Sequence, residues 1–200
     1  MSRKNTFALV IAGAVLLVAP AFSQEDVNYR SDFTVQALGS FVKSTSNNGV
    51  QQDSTNSGGV LASYRFFFNR HNGVEVNYGY ALNTQNFGLT GGALGVKNDS
   101  HEFTADYVLR FPWKRWSPFA LAGTGALVFD PRNVSTANVQ ARPAFVYGGG
   151  ADFNLTSHLY MRAEYRGFVY DSPTFGLTES AGTGRVTHRA EPSIGFGYRF

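Results

Sequence analysis

The chain has 200 residues, enough for one domain, with 18 Phe, 10 Tyr, 2 Trp, 22 Gly and no Cys. Without Cys there are no disulfide staples, so stability has to come from sheet closure or packing. The formal charge is +3, and without Arg3 and Lys4 the count is 15 basic against 14 acidic residues, a net of +1 that lends nucleic-acid binding no support.

The first element reads as a leader. MSRKNT is a short basic stretch, FALVIAGAVLLVAPAF is an uninterrupted apolar run, and small residues follow at Ala19, Ala21 and Ser23. That order is the grammar of a secretory signal peptide, whose apolar run is too short for a membrane anchor. Residues 1–23 are the predicted signal peptide and 24–200 the mature domain. The preferred cleavage site lies between Ser23 and Gln24, and Ala19-Pro20-Ala21 offers an alternative.

After Gln24 the pattern is alternation, with no i, i+3, i+4, i+7 spacing. Successive strand side chains point to opposite faces. Segment 33–43 sets Phe33, Val35, Ala37 and Phe41 against Thr34, Gln36 and Ser40. Segment 59–68 sets Val60, Ala62, Tyr64, Phe66 and Phe68 against Gly59, Ser63 and Arg65. In 74–82, Val74, Val76, Tyr78, Tyr80 and Leu82 oppose Glu75, Asn77 and Gly79. In 102–111, Phe103, Ala105, Tyr107, Leu109 and Phe111 oppose Glu102, Thr104, Asp106 and Arg110. Segments 118–129 and 143–153 are glycine-rich and less polar. Segment 159–169 alternates sharply around Arg162, Glu164 and Arg166, and 185–200 closes with Ile194, Phe196, Tyr198 and Phe200 against Ser193, Gly195, Gly197 and Arg199. These are eight predicted strands.

Their connections alternate as well. Residues 69–73, 112–117 and 154–158 are short and carry turn residues, whereas 44–58, 83–100, 130–142 and 171–184 are long and polar. All four long connections therefore fall at one end of the sheet, the arrangement of outer-membrane barrels.

The charges decide which face is inside. Arg65, Arg110, Arg162, Arg166, Arg189 and Arg199 share the polar register with Glu75, Glu102, Asp106, Asp152, Glu164 and Glu191. Every cation in this set is Arg, whose planar fork suits paired, partly desolvated carboxylates, and Lys is missing from the strand interiors. The other face is too apolar to meet water. The reading is an all-β, eight-stranded antiparallel up-and-down transmembrane β-barrel with an interior ion network. Two aromatic girdles bound the lipid face: Phe66, Phe68, Phe111, Trp113, Trp116, Phe153, Tyr198 and Phe200 near the short turns, and Phe41, Tyr80, Phe129 and Phe145 near the long loops.

The signal peptide, the long-short connection pattern, WSPFALAGTGALVF and the terminal GFGYRF together resemble the small OmpA-like and OmpX-like outer-membrane barrels, over residues 27–200. The resemblance implies export to the outer membrane of a Gram-negative-type bacterium, contact with outer-membrane lipids, and insertion by the outer-membrane assembly machinery. It also implies that Phe196, Tyr198 and Phe200 form the strand signal that machinery reads. A second, peptidoglycan-binding domain has no counterpart here, so a peptidoglycan tether is not expected. A monomer is expected, with no cofactor.

Other chemistry is weakly signalled. Asp99-Ser100-His101 holds the residue types of a catalytic triad, but neighbours on a strand cannot converge on one atom. His188 beside Glu191 and Ser193 falls on the apolar register. His71 and His158 lie in short turns, and scattered His without Cys make no metal site. LTGGALG (89–95) precedes no helix, so phosphate binding is not expected. Eight strands enclose a lumen that side chains fill, although Gly59, Gly79, Gly148, Gly150, Gly195 and Gly197 would leave water-filled gaps. The expected function is a structural or surface-binding role of four long external loops toward an unidentified extracellular ligand. A small-solute pore and a lipid-modifying enzyme are the alternatives.

Overall fold

The computed structural model describes residues 30–47, 50–89, 92–132, 139–172 and 186–200. The leader, Ser23 and Gln24 lie outside this set. The strands are β1 (Ser31–Val42), β2 (Thr45–Asn47), β3 (Val50–Ser54), β4 (Ser57–Phe67), β5 (Asn72–Leu89), β6 (Gly92–Arg110), β7 (Trp116–Pro131), β8 (Gln140–Asn154), β9 (Leu159–Asp171) and β10 (Val186–Arg199). Eight of them form a closed antiparallel ring in the order β1-β4-β5-β6-β7-β8-β9-β10 and back to β1. The seam pairs Phe33 with Tyr198, Val35 with Phe196 and Ala37 with Ile194. The backbone of Phe200 bonds that of Ser31 in both directions, at 2.9 and 3.2 Å. In this ring no spanning strand is left with an open edge.

Alternation sorts the side chains as the period of two requires. Phe33, Val35, Val76, Tyr107, Ile194, Phe196, Tyr198 and Phe200 face outward and are exposed, while Arg65, Glu75, Arg162, Arg166 and Glu191 are wholly buried. Of the expected girdle, Phe41 and Phe145 face outward at the long-loop end. Phe129 does not. It points into the barrel and is buried, because β7 carries apolar residues on both faces: Phe119, Leu121, Leu127 and Phe129 inward, with Ala120, Ala122 and Val128 alternating with them.

The connection 83–100 also differs from expectation. It is largely strand, because β5 and β6 remain paired from Asn72↔Leu109 through Leu89↔Gly92. Lys97, expected in a loop, therefore lies within β6. Within connection 44–58, β2 and β3 extend the same sheet, with Gln51 opposite Gly88 and Ser54 opposite Gln85.

The inward glycines are occupied by their neighbours. A Cβ on Gly197 would run into the Tyr160 ring, and one on Gly79 into the Glu102 side chain. At the seam, a Cβ on Gly195 would meet the backbone of Val35 and Gln36, which cannot swing aside as a side chain can. Gly58, on the same sheet, has only the Leu38 carbonyl oxygen near, at 3.8 Å. Overpacking of this kind costs about 1–3 kcal/mol. Gly195→Val is expected to prevent or weaken closure, read as loss of heat-modifiable mobility in detergent electrophoresis, whereas Gly58→Ala keeps it. Equal folding of the two variants would contradict this account of the seam.

Candidate functional site

The lumen is bridged from wall to wall. On β9, every residue from Tyr160 to Tyr170 with an even number points inward, which aims Arg162 and Arg166 at the axis. The Arg162 guanidinium grips Asp152 with two bonds, Nε to Oδ1 at 2.7 Å and Nη2 to Oδ2 at 3.2 Å. It also reaches Asp32 and Glu75, each at 3.4 Å. Glu75 stands on β5, diametrically opposite β9 in the ring. Arg65 pairs with Glu75 and lies 3.9 Å from Asp152, again across the full width. Arg199 adds a bond to Asp152 at 3.3 Å and one to Asn154 at 2.6 Å.

A second cluster lies nearer the long loops. Glu102 on β6 receives Arg166 and, from the opposite strand β10, Arg189 at 2.8 Å. Arg189 also pairs with Glu191 at 2.8 Å, and its Nη1 donates to Ser100 Oγ at 3.1 Å. Glu164 lies 3.7 Å from Arg166 and accepts from Gln36 Nε2 at 3.4 Å. Charge-assisted bonds of this kind are strong, and each guanidinium supplies several donors in a fixed plane.

Two of the twelve expected network residues stand apart. Among the described residues, Asp106 is held by Asn77 Nδ2 and Thr104 Oγ1, both at 2.9 Å, rather than by a cation. It sits directly across from Glu75, whose side has already drawn Arg65 and Arg162. Arg110, at the short-turn end, lies with its guanidinium 3.6 Å from the Phe67 ring centroid and donates to the Arg70 carbonyl at 3.4 Å.

Sequence reasoning missed Asp32 and Tyr160. Tyr160 donates to Asp32 at 2.7 Å and stacks under Arg199 at 4.2 Å. Their register gave the signal, since Asp32 is two residues before inward Thr34 and Tyr160 two before inward Arg162. The lumen also has an apolar wall, of Phe119, Leu121, Leu127, Phe129, Val146 and Phe168, where the less polar strands β7 and β8 pass. Arg65 lies 4.2 Å over Phe119, so the charged and apolar sectors interlock.

The residues with catalytic chemistry do not converge. Ser100 points into the lumen toward Arg189, whereas His101 points outward and shares a hydrogen bond with the Tyr78 hydroxyl at 3.0 Å. Asp99 pairs with Arg132. His188 is bound to the Tyr147 hydroxyl at 2.7 Å, on the face opposite Glu191 and Ser193.

At the long-loop end, β5 and β6 have 18 and 19 residues, about twice the 9–11 that a tilted spanning strand needs. Among the residues whose side chains are described, Leu82 is the last exposed large apolar one of β5, and the two strands stay paired beyond it through Leu89↔Gly92. β3 and β2 add to one side of this projection. The end of β7 supports the other side as far as Asn98↔Pro131. The result is a strand-paired ledge at one side of the mouth.

Comparison with known proteins bears on what carries this ledge. The model of one family, the outer membrane protein beta-barrel domain, matches residues 9–200. No curated protein matches the sequence. Among solved structures the chain is similar to Neisserial surface protein A, with TM-score 0.60 and 16% identity over 84% of this chain and 97% of that one. It is also similar to Ail, the attachment invasion locus protein of Yersinia pestis, solved with the heparin analogue sucrose octasulfate. There the TM-score is 0.54 and the identity 20%, over 86% of this chain and 99% of that one. The N-terminal β-barrel domain of Pseudomonas aeruginosa OprF gives TM-score 0.51 and 15% identity, over 86% and 99%.

Removing one partner of a buried ion pair costs about 3–5 kcal/mol, because the other charge is left uncompensated. Arg162→Met leaves Asp32 without the one cation that pairs with it among the described residues and takes one partner each from Glu75 and Asp152. It is expected to lower the unfolding free energy by about 3 kcal/mol in a urea titration of the refolded barrel. Asp106→Asn, which exchanges a carboxylate bound by neutral donors for an amide, is expected to cost less than about 1 kcal/mol. Indistinguishable midpoints would argue against a lumen organised around Arg162.

Proposed function

The chain belongs to the outer membrane protein beta-barrel domain family, and from that premise we propose that it is a monomeric, lipid-embedded mount for a binding ledge on the cell surface, not a pore or an enzyme. The projection of β5 and β6 beyond the apolar band, with β3 and β2 alongside, carries this reading. A backbone already paired as strand loses less freedom when a partner docks on it. Among the described residues, 92–96 pair with β5 alone, which leaves a backbone edge in water where an extended segment of a ligand can add as a strand.

The bridged lumen supports the exclusion of a pore. Arg162–Glu75, Arg189–Glu102 and Arg65–Asp152 each tie opposite strands together, so a solute would have to break them to pass. Residues 1–23 are proposed as the cleaved export signal. Phe196 and Tyr198 on β10 and Phe200 just after it, exposed in alternation, are proposed as the strand end that the assembly machinery reads. Ail is an attachment protein solved with a heparin analogue, which makes heparin one probe for the ledge without assigning it as the ligand.

Replacing residues 84–97 by a two-residue turn removes the ledge and leaves the ring paired. The trimmed barrel is expected to reach the outer membrane with unchanged heat-modifiable mobility. Cells displaying it are expected to adhere to cell monolayers or heparin-coated beads at least about tenfold less than cells with the full chain, a loss of ~1.4 kcal/mol. Equal adhesion would refute the ledge, and stepwise conductance in planar bilayers would return the pore to first place.

A further inference from the structure

The short-turn end carries a feature that surface binding at the other end does not use. Between β6 and β7, Trp113-Lys114-Arg115-Trp116 makes a tight reversal closed by two backbone bonds, Trp113 N to Trp116 O at 2.7 Å and Trp116 N to Trp113 O at 2.9 Å. Both indoles are exposed, Trp113 at 68% and Trp116 at 49%. Lys114 adopts a φ of 52°, a left-handed backbone that glycine or asparagine takes more easily. Strain of this sort, kept at a defined position, points toward use of the side chain it carries.

The reversal is part of a continuous arc. Arg110 N bonds the carbonyl of His71 at 2.7 Å, which ties on the neighbouring turn with exposed Arg70. Asn154 N bonds the carbonyl of Arg115 at 2.8 Å, which ties on β8. Arg70, Lys114 and Arg115 are exposed along this arc, and among the described residues no Asp or Glu side chain faces outward at this end. Inside the barrel Arg65, Arg162, Arg166, Arg189 and Arg199 are each matched by a carboxylate. These three cations have no such partner among the described residues. Directly above them lies an aromatic band of Phe68, Phe111 and the two indoles, the depth at which rings meet lipid headgroups.

We propose that this arc binds anionic phospholipid headgroups of the leaflet that faces the short turns. The indoles seat at the glycerol level, and Lys114, Arg115 and Arg70 reach the phosphates just beyond. A cation near an anionic membrane surface is worth about 1 kcal/mol, which converts to roughly a fivefold preference over a zwitterionic lipid. The inference stands independently of what the ledge binds at the other end.

Trp113 and Trp116 are the only two Trp of the chain, so tryptophan fluorescence reports this arc alone. The refolded chain is placed in vesicles of phosphatidylcholine with about 30% phosphatidylglycerol, with bromine on the acyl chains of one lipid or the other. Quenching is expected to show a ratio of phosphatidylglycerol to phosphatidylcholine at the indoles roughly fivefold above the bulk ratio. In Arg70→Gln/Lys114→Gly/Arg115→Gln the preference is expected to fall to about one, because the phosphate contacts are gone. Lys114→Gly relieves the positive φ, so folding is preserved, and heat-modifiable mobility checks it. A ratio near one in the unaltered chain, or an unchanged ratio in the triple variant, overturns the proposal. Loss of the preference on adding inorganic phosphate, but not chloride of equal ionic strength, reassigns the arc to free phosphate and overturns it as well. So does a ratio of one combined with arc-dependent binding of polyglutamate, which assigns the arc to an acidic protein.

Discussion

In the hydrocarbon core of a bilayer, a backbone N–H or C=O without a partner has no water to turn to, and each such group costs several kcal/mol. Every spanning residue must therefore be paired on both sides, and a sheet meets that condition only by closing on itself. The seam between β1 and β10 is where closure happens, from Asp32↔Arg199 at one end to Val42↔Arg189 at the other. Once the ring is closed the alternation of side chains has only two destinations, lipid and lumen. A slip of one residue at any pairing would send a whole strand's set to the wrong one. On β9 that slip would turn Arg162, Glu164 and Arg166 toward lipid, where a cation costs about 2–4 kcal/mol at the midplane. The charges thus enforce the register that the backbone pairing requires.

The same closure makes the lumen a difficult place for charge. Eight strands leave room for side chains and little for bulk water, so each ion has to be compensated by another. Arginine meets that condition where lysine would not. Its fork bonds one carboxylate twice and still offers donors to others, as Arg162 does with Asp152, Glu75 and Asp32. Its flat face also stacks on rings, which lets Arg65 and Arg110 lie against Phe119 and Phe67. Such networks are weak sources of net stability, since desolvation offsets most of the attraction. What they contribute is closure of the lumen and intolerance of misregister.

Strands whose two faces differ in polarity were legible from sequence. β1, β4, β5, β6, β9 and β10 each carry charge or amide on one face, and there parity places every residue. β7 carries apolar residues on both faces, so parity is silent there, and Phe129, expected at lipid, packs among Leu127, Val146 and Phe168. Asp106 and Arg110 share the inward register with the network, but register fixes only direction. Which carboxylate meets which guanidinium depends on height and on distance across the ring. The ledge was hidden for another reason. Residues 83–100 are rich in Asn, Thr and Gly, which reads as loop, yet pairing with β3 and β7 holds them as strand. Tertiary context overrides propensity there.

The two ends of the ring then follow from where the backbone may stop being paired. Toward the short turns the chain reverses within a few residues, and its polar tips remain close to the lipid surface. At the other end the strands continue into water, where unpaired groups are hydrated and an open edge costs little. β5 and β6 can outgrow the ring on that side because their lower halves are already fixed by it. Their outer halves inherit twist, spacing and direction from strands that lipid and the ion network hold in place. The pairing of the ledge from Asn83↔Asn98 to Leu89↔Gly92 therefore continues a register that the closed ring already sets.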